Sequence, residues 1–129
     1  MSRTLLIIED NEQNFYMMRF LLEKNGFIVI GSENGREGIE KALLLKPDAI
    51  LLDIQLPEMD GYAVAEELRK HEEILSIPII AVTSYAMVGD RERILKAGAT
   101  GYIEKPINPD TFVSEITNYL RKGVDSGEN

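Results

Sequence analysis

Five short apolar runs, each followed by a stretch of helical period, leave this chain few folds to choose from. The runs are LLII (5–8), FIVI (27–30), AILL (49–52), PIIAV (78–82) and the weaker YI (102–103). The first, third and fourth are continuous and aliphatic rather than alternating, which suits strands covered on both faces of a parallel sheet. Between them lie helical stripes. Residues 12–25 carry Met17, Met18, Leu21 and Leu22, residues 35–46 carry Ile39, Ala42 and Leu43, and residues 61–71 carry Val64, Ala65 and Leu68. Residues 90–97 carry Ile94, and 109–121 carry Phe112, Ile116, Tyr119 and Leu120. Asn34 with Glu37 resembles a capping box, Asn108-Pro109 predicts a helix start, and Gly26 and Gly98 stand where helices should stop. Strict strand–helix alternation with short connections predicts an α/β fold with a doubly wound, five-stranded parallel sheet.

A chain of 129 residues predicts one domain with an adequate core. The polar stretch 123–129 reads as a frayed tail. The absence of cysteine excludes disulfides, thiolate metal sites and cysteine nucleophiles, and the single histidine, His71, makes zinc sites and a Ser-His-Asp triad poor readings. The net charge of −8 disfavours nucleic acid and anionic membrane. The apolar runs fall far short of a membrane span or a secretory leader. A cytoplasmic protein is expected.

Ligands of open α/β sheets bind beyond the carboxyl ends of the strands. Here those ends read Glu9-Asp10, Asp53, Thr83-Ser84 and Lys105-Pro106. A lone Asp there is usually a turn former and a lone Lys-Pro a turn; the coincidence on four strand ends is what points to chemistry. Two unit charges about 4 Å apart repel by about 4 kcal/mol at an effective dielectric near 20. The three carboxylates therefore need a cation, or one must stay protonated. Lys105 supplies one charge, and a hard divalent ion such as Mg²⁺ suits the rest. Asp53 is a candidate carboxylate nucleophile, and Lys105 and Thr83 could meet the oxygens of a transferred phosphoryl group.

The combination of IIEDN (7–11), LLDIQLPEMDG (51–61), AVTSYA (81–86) and GYIEKP (101–106) resembles the receiver domain of response regulators, the CheY-like module of two-component signalling. The resemblance runs from about Thr4 to Leu120, implies a receiver domain over 1–122, and implies a (βα)5 flavodoxin-like fold with strand order 2-1-3-4-5, an order given by CheY itself. It implies that Asp53 accepts a phosphoryl group from the phosphohistidine of a histidine kinase or phosphotransferase. It further implies Mg²⁺ held by Glu9, Asp10, Asp53 and the Gln55 carbonyl, and phosphoryl contacts from Thr83 and Lys105. Tyr102 would be the aromatic switch paired with Thr83, Gln55 and Tyr85 would govern phosphoryl lifetime, and the Lys105–Pro106 peptide would be cis. Glu9 in place of the commoner Asp is the main departure, and it could route the metal contact through water.

The implied role is a phosphorylation switch rather than a turnover enzyme. Its fourth and fifth helices would change shape for an output protein, and helix four, strand five and helix five form a candidate homodimer face. No further domain follows in this sequence, which implies a stand-alone regulator or a phosphorelay shuttle with no direct contact to nucleic acid. On the first helix Tyr16 and Phe20 share a face off the core stripe. Two readings stand, a docking spot for the kinase or phosphotransferase and an aromatic edge with no partner. Two rivals compete for the whole chain. A haloacid-dehalogenase-like phosphatase would want a second Asp at position 55, where Gln stands. A non-phosphorylated pseudo-receiver would not need the intact acidic trio, Thr83 and Lys105.

Overall fold

The computed structural model describes the backbone of residues 2–84 and 88–128 and the side chains of 2–84 and 89–121. Five strands, β1 (Thr4–Ile8), β2 (Ile28–Ser32), β3 (Ala49–Asp53), β4 (Ile79–Thr83) and β5 (Gly101–Glu104), alternate with five helices. The helices are α1 (Glu12–Lys24), α2 (Gly35–Leu45), α3 (Gly61–Leu68), α4 (Val88–Lys96) and α5 (Phe112–Glu128). All strand pairs are parallel, in the order β2-β1-β3-β4-β5. The expected architecture and strand order are both present.

The continuous aliphatic runs are explained by two cores, one on each face of the sheet. Successive residues of a strand point to opposite faces. Leu6, Ile8, Ile50 and Leu52 therefore join Ala42, Val64, Leu68 and Ile94, from α2, α3 and α4, on one side. Leu5, Ile7, Leu51 and Val82 join Met18 and Leu22 of α1 and Phe112 and Ile116 of α5 on the other. At about 25 cal/mol per Å² of apolar surface, each fully buried Leu or Ile contributes about 1.5–3 kcal/mol.

Boundaries differ from the sequence expectation where side chains intervene. α5 begins at Phe112, not at 109. Asn108 accepts the Asp110 N–H on its own Oδ1 and the Thr111 and Phe112 N–H groups on its carbonyl, so Asn108-Pro109 builds a turn ahead of the helix. α3 ends at Leu68 rather than 71. Just past it the Arg69 guanidinium donates to the carbonyls of Gly98, Ile74, Leu75 and Ile77, and a 3₁₀ turn (Glu72–Ile74) follows. Asn34 caps α2 by accepting the Glu37 N–H, but the Glu37 carboxylate pairs with Lys41, so only half of a capping box is present. Gly26 and Gly98 have φ of 90° and 117°, as expected of residues that stop helices.

Candidate functional site

Parallel pairing brings the carboxyl ends of β1, β3, β4 and β5 to one rim. Asp53 is the last residue of β3, opposite Val82, and Thr83 ends β4 opposite Glu104. The ladder continues past the strands, with Glu9 N–H donating to Ser32 and Lys105 N–H to the Thr83 carbonyl. Glu9, Asp53 and Thr83 are buried, whereas Asp10 is exposed. Each of Glu9, Asp10 and Asp53 offers a carboxylate oxygen, and these oxygens lie within 4.8 Å of one another.

Among the described residues, Lys105 is the cation that faces the acids. Lys105 Nζ stands 3.2 Å from Asp53 Oδ1 and 3.5 Å from Glu9 Oε1. The Lys105–Pro106 peptide is cis. Asp53 Oδ1 also accepts the Gln55 N–H at 2.9 Å, and Glu9 Oε2 accepts the Asn11 N–H at 3.2 Å. Glu9 Oε1 is fully buried with no hydrogen-bond donor among the described residues. Burial, then the neighbouring Asp53 carboxyl, pushes the Glu9 carboxyl up to about 7, with Lys105 and the Asn11 N–H pulling the other way. Burial and the excess of carboxylates over facing positive charge thus favour the protonated form of Glu9 to higher pH than usual.

These residues fit a hard divalent cation. The donor set is all oxygen, its charge exceeds what Lys105 neutralises, and a buried carboxylate oxygen is left without a donor. A groove of about 390 Å³ opens beside Glu9 and Asp10, with Phe15 and Gly31 in its wall and Glu33 and Glu37 across from them. Asp53, Thr83 and Lys105 do not line it.

The loops flanking Asp53 are fixed by contacts that sequence reasoning passed over. Asp60 caps α3 by accepting the Ala63 N–H. The next residue, Gly61, packs so tightly that a Cβ there would lie 2.4 Å from Ile54 Cα and 2.7 Å from the Asp53 carbonyl. Across the site the Ser84 hydroxyl donates to Gln55 Oε1 at 2.9 Å, tying the loop after β4 to the loop after β3. The run LPEMDG could have pointed to Gly61, because a glycine opening a helix behind a strand end often marks close backbone approach. Nothing local in the sequence indicates the Ser84–Gln55 bond.

Of the other candidate residues, Tyr102 is half-buried on β5, and its ring lies 5.3 Å from the Arg91 guanidinium. Tyr85 lies outside the described residues. Tyr16 and Phe20 are 70% and 63% exposed on α1, away from the buried Met18 and Leu22, so the aromatic pair does stand off the core. Among the described residues no helix is long and apolar enough to cross a membrane.

Comparison with known proteins shows the family and the fold. The family model of the response regulator receiver domain matches residues 5–117. The polar-differentiation response regulator DivK of Brucella anthropi is 44% identical over 120 residues, which cover 93% of this chain and 98% of that protein. Among solved structures, the receiver domain of a sensor histidine kinase from Pseudomonas aeruginosa is 32% identical, with a TM-score of 0.85 over 93% of this chain and 98% of that one. It has a magnesium ion coordinated in its active-site cleft. The chemotaxis protein CheY4 of Vibrio cholerae is 25% identical, with a TM-score of 0.88 over 92% of this chain and 99% of that one.

Proposed function

This chain belongs to the response regulator receiver family, and from that premise we propose that it is a cytoplasmic phosphorylation switch whose acceptor is Asp53. The observation that carries the reading is the meeting of Asp53 with Lys105, Thr83 and the Glu9–Asp10 pair at one rim of the sheet.

A carboxylate oxygen of Asp53 attacks the phosphorus of a phosphohistidine on a kinase or phosphotransferase. The P–N bond breaks, the imidazole keeps the electron pair, and an acyl phosphate remains on Asp53. Such transfer demands positioning and charge neutralisation more than covalent help. Glu9, Asp10, Asp53 and the Gln55 carbonyl would hold Mg²⁺, which when bound neutralises charge on the phosphoryl oxygens. Lys105, already 3.2 Å from Asp53, balances the charge from the opposite side. The Gln55 N–H orients the acceptor carboxylate, and Gln55 with Tyr85 limits the approach of water to the product.

Once phosphorylated, Asp53 offers a new acceptor to the Thr83 hydroxyl. Movement of Thr83 toward it opens space for the Tyr102 ring, a local charge event that biases a two-state element. The face formed by α4, β5 and α5 then meets an output protein or a second copy of this chain, and a shuttle role would pass the phosphoryl group onward. Tyr16 and Phe20 give the phosphodonor a place to rest on α1.

The test is transfer from a purified histidine phosphotransferase carrying labelled phosphohistidine. The label should appear on the wild type in a hydroxylamine-labile form, as an acyl phosphate requires, and not on Asp53→Asn. Sustained hydrolysis of a phosphomonoester would instead favour the phosphatase reading.

A further inference from the structure

Among the described residues, α4 is held by little apolar surface. Among its described side chains only Ile94 is buried, and Leu95 is half exposed. Two arginines add contacts to neighbouring elements. Arg93 lies 3.8 Å from the ring centroid of Tyr62, a buried residue of α3. Arg91 lies 5.3 Å from the ring of Tyr102 and 3.4 Å from Glu104 Oε1, both on β5. Residues two apart on a helix point to opposite sides, and residues two apart on a strand share a face. The arginines therefore straddle α4, and Tyr102 and Glu104 meet Arg91 together.

The backbone of Tyr102 is fixed separately. β5 is an edge strand, and the Tyr119 hydroxyl accepts the Tyr102 N–H and donates to the Tyr102 carbonyl, each at 3.3 Å. The Tyr119 ring fills the space where a Cβ on Gly101 would sit. With its main chain pinned at the edge, Tyr102 can respond to Thr83 by turning its ring while β5 stays in register. Turning the ring away from α4 must break the contact with Arg91.

Resting on the reading of Thr83 and Tyr102 as a switch, we propose that Arg91 is its positioning residue, a detent that holds the Tyr102 ring against α4 and so opposes activation. Arg93 on Tyr62 lies on the far side of α4 and stays engaged while Arg91 lets go. The threshold for switching is thus set by one side chain that touches neither the phosphoryl site nor the acidic cluster. An exposed ion pair and an exposed cation–π contact are individually weak, and weak is what a detent must be, since a strong one would lock the switch.

The test uses beryllofluoride with saturating Mg²⁺ as the probe of the active arrangement, followed by amide chemical shifts of the full chain. A protein whose competent state is partly populated binds its ligand more weakly by that fraction. Arg91→Gln should therefore tighten beryllofluoride binding by about two- to fivefold, the factor that one exposed cation–π contact represents. The probe-free amide shifts of 101–104 should also move along the line toward the bound spectrum, which a merely structural role would not produce. In a Tyr102→Leu background the same substitution should change affinity by less than about twofold, because Arg91 acts through the ring. Unchanged affinity and unchanged shifts in Arg91→Gln, with a responsive wild type, would overturn the detent. A wild type whose spectrum does not respond to beryllofluoride would overturn the switch reading beneath it.

Discussion

Lys105 Nζ and the Gln55 N–H converge on the same atom, Asp53 Oδ1, at 3.2 and 2.9 Å. A side chain just past β5 and a main-chain group from the loop after β3 thus grip one carboxylate oxygen. Replacing Lys105 with Met leaves Glu9 and Asp53 buried with no facing cation. With metal chelated at pH 8, that variant should lose about 1–3 kcal/mol of stability, less than a buried pair usually costs because Glu9 can retain a proton. Urea unfolding measures the loss, and phosphorylation by acetyl phosphate should slow sharply in the same variant.

The Glu9 carboxyl, raised from its ordinary 4.5 to about 7 by burial first and Asp53 second, makes stability depend on pH. Without metal the folded chain holds a proton there after the unfolded chain has released its own. The stabilisation is complete below pH 4.5 and is lost as pH rises through 7, a difference of about 3 kcal/mol at 1.36 kcal/mol per unit. Unfolding free energies of wild type from urea titrations in chelator should fall across that window, and those of Glu9→Gln should fall less by this amount. Mg²⁺ added at pH 8 should restore the wild type, because a dication replaces the proton.

Gly61→Ala tests the packing behind the acceptor. The new methyl would meet backbone atoms of Ile54 and Asp53 that cannot swing aside. A loss of about 1–3 kcal/mol is expected, with shifted amide signals from 53 to 56 and weaker Mg²⁺ binding. Wild-type stability and spectra in this variant would mean that the loop yields easily.

Phe20→Ala separates the two readings of the aromatic pair on α1. The ring is 63% exposed, so stability should change by less than about 0.5 kcal/mol. Transfer from a histidine phosphotransferase should drop several-fold, while phosphorylation by acetyl phosphate stays at the wild-type rate. Equal rates from both donors would make the pair a bare aromatic edge.

What the sequence makes visible is set by distance along the chain. Doubly buried strands such as 49–52 show as unbroken aliphatic runs. In a parallel sheet every carboxyl end falls on the same side, so Glu9, Asp53, Thr83 and Lys105 can be brought together without coordinates. Local signals fail where one motif serves two structures. Asn108-Pro109 reads as a helix start, yet its side chain and carbonyl build a turn three residues ahead of α5. Contacts between distant segments leave no local trace. Arg69 fastening the α4–β5 loop, Tyr119 bonding the backbone of Tyr102 and Ser84 reaching Gln55 all belong to this class.

The most direct measurement is intact mass after incubation with acetyl phosphate and Mg²⁺. The wild-type chain should gain one phosphoryl group, Asp53→Asn should gain none, and chelating the metal should suppress the gain. A wild type that stays unmodified, or an Asp53→Asn chain that gains the same group, would contradict the account.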